Sequence, residues 1–259
     1  MPADLAAKSP SAFEQEVRRI AASPLRLTHP RREFKARGSF VLRCDGCRMP
    51  KTYCICQYRT EVSSNAVFWV LMHTEEVNKP TNTARLIGDT LPETRVFPWF
   101  RMQPPEALLA LLADPAYQPF IIFPDDQPDY LHRVVEFEPA RQGQESRRPA
   151  FILLDGTWRQ ARRMFRKSPW LDHLPVLPLR TNQKTDYRLR KPASEQHLCT
   201  AEVGIELLKL AGDTHAAGVL QQYFTVFNQG YGAARHQRPT EELTGAMQWL
   251  LDYQASASR

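Results

Sequence analysis

Long hydrophobic runs and the common nucleotide-binding loops are missing from this sequence. Apolar runs such as Phe120–Phe123 and Phe151–Leu154 have the length of buried strands, whereas a membrane span needs about 18 apolar residues. The first residues, MPADLAAKSP, contain no basic start followed by an apolar run, so we expect no secretory signal. Neither G-x-G-x-x-G nor a Walker loop occurs, and no internal repeat is present. We therefore expect a soluble, cytoplasmic protein.

Positive charge is concentrated in two segments of the 259 residues. Residues 18–59 contain eleven Lys and Arg against two Asp and Glu, and residues 141–191 contain thirteen against four, although the whole chain carries only +6. Aromatic residues are interspersed in both segments, a pattern suited to RNA because bases stack on rings while phosphates meet the cations. Solvated surface charge is the alternative explanation for either segment alone. The pattern favours a nucleic-acid partner.

Four of the five cysteines lie close together in the spacing C-x2-C-x6-C-x-C. Disulfides are not expected without an export signal, because the cytosol keeps thiols reduced. Four thiolates can close a tetrahedral shell around Zn²⁺, and with no open position such an ion is structural. Free thiols and an iron–sulfur cluster are the alternatives. The predicted metal ligands are Cys44, Cys47, Cys54 and Cys56.

Apolar, β-rich runs alternate with helical patterns, which predicts an α/β fold with a mostly parallel sheet and helices on both of its faces. The candidate strands are Ala66–Met72, Thr94–Phe97, Phe120–Phe123, Phe151–Leu154 and Pro175–Leu179. The candidate helices are Thr83–Asp89, Pro105–Ala113, Trp158–Lys167, Thr200–Ala211, Ala216–Asn228 and Thr240–Tyr253. We divide the chain into a basic N-terminal extension (1–38), a zinc knuckle (39–60), the α/β domain (61–235) and a C-terminal helix (236–259).

Polar residues follow the first, third and fourth candidate strands, in the segments HTEE, PDD and DGTW. Ligands of parallel sheets bind at the carboxyl ends of strands, so these segments predict a site. Asp155 and Thr157 also fit as caps of the next helix. Capping explains neither the large Trp158 in the first turn nor the four arginines spaced along one side of that helix. The arrangement favours an anionic polymer held beside a carboxylate.

The run LLDGTWRQARRM resembles the signature of the DTW-domain family, D-x-T-W after an apolar strand. Three further blocks match the family in order: the cysteine spacing, HTEEVNKPTNTARL, and YRLRKPASEQHLCTAEV. The resemblance extends from about residue 40 to 230. One departure is PDDQ, where the family pattern is more serine-like.

The resemblance implies a SPOUT-like sheet with a knotted C-terminal part, and 61–235 as the catalytic DTW domain. It implies a tRNA-uridine aminocarboxypropyltransferase, which moves the 3-amino-3-carboxypropyl group of S-adenosylmethionine to N3 of a uridine, at position 47 of the variable loop. The alternatives are an S-adenosylmethionine-dependent RNA methyltransferase of the same fold, and a non-catalytic RNA-binding module with zinc. We expect tRNA as partner, no membrane association and no obligate protein partner.

The resemblance also suggests a role for individual residues. Asp155 takes the N3 proton, Thr157 orients the Asp155 carboxylate, and Trp158 forms a wall of the pocket. Arg85 or Arg188 holds the donor's carboxylate as a bidentate pair. The expected S-adenosylmethionine-binding residues are Met72, His73, Thr74, Arg85, Pro124, Asp155, Arg188, Leu198, Cys199 and Thr200. The expected tRNA-binding residues are Arg159, Arg162, Arg163, Arg190 and Lys191. Cys199 is otherwise interpreted as a small buried residue rather than a nucleophile.

Overall fold

The computed structural model describes residues 8–23, 40–101, 103–138, 147–181, 185–187, 198–239 and 243–257. The helices in this part of the chain are α1 (Ala12–Ala22), α2 (Ala84–Thr90), α3 (Glu106–Ala113), α4 (Trp158–Arg166), α5 (Thr200–Leu210), α6 (Thr214–Arg235) and α7 (Gly245–Ala257). The strands are β1 (Val67–His73), β2 (Arg95–Trp99), β3 (Tyr117–Ile122), β4 (Arg148–Asp155) and β5 (Val176–Leu177). Arg188, Arg190 and Lys191 lie outside the described residues.

The five strands form one parallel sheet in the order β2-β1-β4-β3-β5. Strand β4 lies at its centre, with Asp155 beside Met72 of β1. The three strands followed by the segments HTEE, PDD and DGTW are therefore neighbours. Because parallel strands end at the same edge, this order brings the three polar segments to one part of the molecule.

Each face of the sheet is covered by helices, because alternate residues of a strand point to opposite sides. Phe68, Val70 and Phe151 belong to a core shared with α1, α2, α5, α6 and α7. Trp69 and Ile152 face the other way, into a core shared with α3 and α4. The predicted α/β class with a parallel, doubly covered sheet is confirmed. The four clustered cysteines belong to the first core.

Helix α6 is longer than its sequence pattern predicts. The candidate helix ended at Asn228, before two glycines, whereas α6 continues to Arg235. A Cβ at Gly230 would lie 3.3 Å from both Met49 and Ile55. Gly230 therefore provides space for the cysteine segment to pack against the helix and does not end it.

None of the described helices combines the length and the apolar character that a membrane crossing requires.

Candidate active site and metal centre

The four clustered cysteines form a cage whose dimensions fit zinc. Their Sγ atoms all lie within 4.8 Å of one another. Cys44 is 3.4 Å from Cys54 and 3.5 Å from Cys56, and Cys47 is 3.8 Å from Cys54. Tetrahedral ligands on Zn–S bonds of about 2.3 Å are about 3.8 Å apart, so these distances suit one ion bound by four sulfurs. The hydrogen bond to Cys47 raises the pKa of the Cys54 thiol to about 12, and a dication at the centre would instead favour the thiolate.

The turn that carries the first two cysteines depends on close packing at Gly46. A Cβ at this position would lie 2.6 Å from Cys56 Sγ and 2.5 Å from the Lys8 carbonyl oxygen. The left-handed residue of the turn is instead Arg48, with φ of 56°. Its N–H donates to the Cys44 carbonyl at 2.9 Å. Gly46 is therefore required for space beside the sulfurs.

Arg48 also connects the cysteine segment to two other parts of the fold. Its guanidinium pairs with the buried Glu14 of α1 and donates to the Val77 carbonyl at 2.6 Å. Val77 lies in the loop between β1 and α2, which begins directly after His73. The cysteine segment thus supports the loop that begins at the end of β1.

Asp155, the last residue of β4, is a buried carboxylate with a donor on each oxygen. Its side chain is only 3% exposed. Asn82 donates from Nδ2 to Oδ2 at 2.5 Å, and Thr200, the first residue of α5, donates from Oγ1 to Oδ1 at 2.7 Å. A charged group is tolerated in the interior only when it is hydrogen-bonded in this way. Segments distant in sequence therefore fix this carboxylate at the end of the central strand.

Thr157 and Gln160 connect the beginning of α4 to the end of β1. The Thr157 hydroxyl accepts from the Gln160 N–H at 3.4 Å, and Gln160 Oε1 accepts from the Thr157 N–H at 2.8 Å, completing a capping box. Gln160 Nε2 donates to Glu75 at 2.7 Å. The hydroxyl of Thr157 thus pairs with Gln160, and the donors that orient Asp155 are Asn82 and Thr200.

Trp158 packs on the core beside this carboxylate-bearing edge. Its ring stacks on Phe123 with 5.6 Å between centroids and 13° between planes, and Phe123 stacks in turn on Phe165. The Arg162 guanidinium lies 5.2 Å from the centre of the Trp158 ring. Trp158 is therefore a half-buried aromatic platform.

The end of β1 carries two residues expected in donor binding. His73 is buried and stacks on Trp99 at 5.7 Å. Its Nδ1 accepts from the Glu75 N–H at 3.2 Å, so the proton of the neutral ring is on Nε2. The Met72 side chain belongs to the core, which leaves its backbone as the part that a ligand could contact.

Arg85 is not brought to this edge. It lies buried on α2, with its guanidinium 5.9 Å from the centre of the Phe227 ring of α6. Burial acts to lower the pKa of Arg85, but the nearby charges of Asp89 and Glu14 outweigh it and the pKa is raised. The geometry gives no support to Arg85 as the group that holds the donor's carboxylate. Arg188, the other expected residue, lies outside the described part of the chain.

The two carboxylates of the segment after β3 form ion pairs with arginines. Asp126 pairs with Arg162 of α4 and accepts from the Tyr130 hydroxyl at 2.9 Å. The Pro124 carbonyl oxygen lies 2.7 Å from the same hydroxyl, so the two acceptors share its single proton. Asp125 pairs with Arg180 at 3.1 Å. Of the predicted tRNA-binding arginines on α4, Arg162 is thus held in place, and the exposed ones are Arg159 and Arg163.

The beginning of α5 is organised by the buried Glu202. This carboxylate accepts from the Cys199 N–H, the Thr185 hydroxyl and the Asp186 N–H, each at 2.7 Å. Burial raises the pKa of the Cys199 thiol, so it stays protonated at neutral pH and suits a packing role. Leu198, Cys199 and Thr200 therefore have a fixed backbone next to Asp155.

Asn82, Gln160 and Glu202 organise the site but were not predicted from the sequence. Each is a polar residue within a segment that resembles the family, which was the available signal. Their roles depend on where side chains from separate loops point, which a linear pattern does not specify.

Comparison with known proteins identifies the family. A family model described as the DTW domain matches residues 41–232, well over half of the chain. The matched range includes the four clustered cysteines, Asp155 and the donors to its carboxylate. No solved structure matches the chain. The match supports a role in tRNA modification, and the chain belongs to the DTW-domain family.

Proposed function

We propose that this protein transfers the 3-amino-3-carboxypropyl group of S-adenosylmethionine to N3 of a tRNA uridine. The observation that carries the proposal is the buried carboxylate of Asp155, held by Asn82 and Thr200 at the end of the central strand. It lies in a family-matched segment whose next helix presents exposed arginines. An acidic group suited to proton transfer, followed along the chain by cations suited to phosphates, supports the proposal.

The proposed reaction is a single displacement. The uridine N3–H proton passes to Asp155 as N3 forms a bond to the γ-carbon of the donor's aminocarboxypropyl group. The bond between that carbon and the sulfonium sulfur breaks, and its electron pair stays on sulfur in neutral methylthioadenosine. Attack on the methyl carbon would give methylation instead, so the position of the donor decides the product.

The donor is proposed to bind along the carboxyl edge of β1, β3 and β4. His73, Thr74 and the backbone at Met72, Pro124 and Leu198–Thr200 would line its adenosine. Trp158 would form one wall, supported by its stack on Phe123. Thr157 is best interpreted as acting through Gln160, which ties the beginning of α4 to Glu75.

The tRNA is proposed to lie along α4. Arg159 and Arg163 are exposed there, and Arg162 is fixed between Asp126 and the Trp158 ring. Arginines bind phosphates through bidentate hydrogen bonds, so this helix face suits the RNA backbone. Arg190 and Lys191 are proposed to extend it. The cysteine cage is proposed to hold structural zinc, and the sheet to continue into a SPOUT-like knot.

The substitution Asp155→Asn tests the proposed base. It keeps the size of the side chain but removes its charge and its ability to take a proton. We expect transfer to be abolished while tRNA retention on a filter remains close to that of the wild type. Wild-type turnover by the variant would exclude Asp155 as the base. Thr200→Val is the matched control, because it removes one donor to Asp155 and leaves the carboxylate itself.

A further inference from the structure

The amide of Asn82 lies between two carboxylates at the candidate active site. Its Nδ2 donates to Asp155 at 2.5 Å and lies 3.5 Å from Glu76. Both neighbours are hydrogen-bond acceptors, so the amide must turn its NH₂ group toward them. This fixes the orientation of the side chain and directs Oδ1 away from the carboxylates.

The oxygen of this amide, Asn82 Oδ1, has no hydrogen-bond partner among the residues that the structure describes. Asn82 is only 7% exposed, and Oδ1 is a buried acceptor without a hydrogen bond. A buried acceptor that lacks a donor has lost its hydration without compensation, so a group that donates to it is stabilising. Asn82 Oδ1 differs from the other unpaired buried atoms in its position beside the proposed base, where a bound ligand could supply the missing donor.

We propose that Asn82 Oδ1 accepts a hydrogen bond from the α-ammonium group of the aminocarboxypropyl donor. This inference rests on the proposed function and deepens it by naming the residue that recognises the amino-acid end of the donor. A cation is favoured over a neutral N–H by the carboxylate of Asp155 on the same amide, whereas Glu76 is already paired with Lys79 at 2.6 Å. Asn82 would thereby hold the transferred group beside the carboxylate that takes the uridine proton.

Three unreactive probes separate this role from a structural one. S-adenosylhomocysteine carries the α-ammonium group, its deamino analogue replaces that group with hydrogen, and methylthioadenosine lacks the amino-acid portion. Their affinities are measured by calorimetry with the full-length wild type, Asn82→Leu and Thr200→Val. Asn82→Leu keeps the number of side-chain heavy atoms and removes Oδ1 together with Nδ2, the donor to Asp155. Thr200→Val disturbs the other oxygen of Asp155 and leaves Asn82 Oδ1 in place.

In the wild type we expect S-adenosylhomocysteine to bind at least about 10-fold more tightly than the deamino analogue, as for a hydrogen bond to a charged group. Asn82→Leu should reduce this ratio by about 10-fold, while Thr200→Val should preserve it. Methylthioadenosine should bind the wild type and Asn82→Leu equally.

Two results would overturn the inference. The first is that Asn82→Leu has the same ratio of affinities for S-adenosylhomocysteine and its deamino analogue as the wild type. The second is that Asn82→Leu loses as much affinity for methylthioadenosine as for S-adenosylhomocysteine, which would indicate a structural role. Failure of the wild type to bind any of the three probes would instead contradict the proposed function itself.

Discussion

Removal of one of the four clustered cysteines, and with it the proposed zinc, should destabilise the helical layer on one face of the sheet. The cage holds Met49 and Ile55 against α6, where both side chains are fully buried. They pack at Gly230, which has no side chain to displace them. Without the metal this segment loses its closure, because structural zinc sites supply folding free energy directly. The change to make is Cys47→Ser, since Cys47 is buried within the cage.

The magnitude follows from the side chains that the segment buries. Full burial of an Ile or a Met contributes about 1.5–3 kcal/mol, so exposing both costs about 3–6 kcal/mol. For a domain of this size each kcal/mol lowers the melting temperature by about 2–4 °C, giving a decrease of about 6–24 °C. Cys199→Ser is the matched control, because Ser is a favourable N-cap at the beginning of α5 and leaves the cage intact.

Calorimetric melting with a measurement of bound metal by mass spectrometry tests this prediction. Wild type and Cys199→Ser should contain one zinc per chain and melt together, and Cys47→Ser should lose the metal and melt lower. Because Arg48 connects the cage to Val77, donor binding should weaken in Cys47→Ser as well. A metal-free wild type, or a Cys47→Ser variant that melts with the wild type, would refute the reasoning.

Two further predictions concern α4. Thr157→Ala should lower the free energy of unfolding by about 1 kcal/mol in urea titrations because it removes the helix cap, whereas Thr157→Ser should keep both stability and transfer. Equal losses in the two variants would contradict the capping role. Arg163→Ala should weaken tRNA binding and reduce the slope of log Kd against log salt by about 1, because one phosphate contact is lost. An unchanged slope would place the RNA elsewhere on the protein.

The elements of the fold could be predicted because their sequence signals are local. Continuous apolar runs such as Phe151–Leu154 indicate strands buried on both faces, and the structure has β4 at the centre of the sheet. The order of the strands could not be predicted, because it depends on how each crossover packs. That order is what makes β1, β3 and β4 neighbours and gathers their polar ends.

The candidate site was predictable only in part for the same reason. Asp155 ends a recognisable strand, so its position at the sheet edge follows from the pattern. Arg85 lies on α2, after the loop that follows β1, and its side chain points toward α6 rather than toward the candidate site. Asn82 is one polar residue among several in its loop, and only the three-dimensional structure shows which of them reaches Asp155.

The most direct test of the central claim is the product formed on tRNA by the purified protein. The protein is incubated with tRNA and S-adenosylmethionine carrying ¹³C either in the aminocarboxypropyl carbons or in the methyl carbon, and the nucleosides are analysed by mass spectrometry. We predict a uridine heavier by about 101 Da with the methyl-labelled donor and by about 105 Da with the donor labelled in its four aminocarboxypropyl carbons, because the γ-carbon is the point of attack. A uridine heavier by about 15 Da with the methyl-labelled donor, or tRNA without any adduct, would contradict the account.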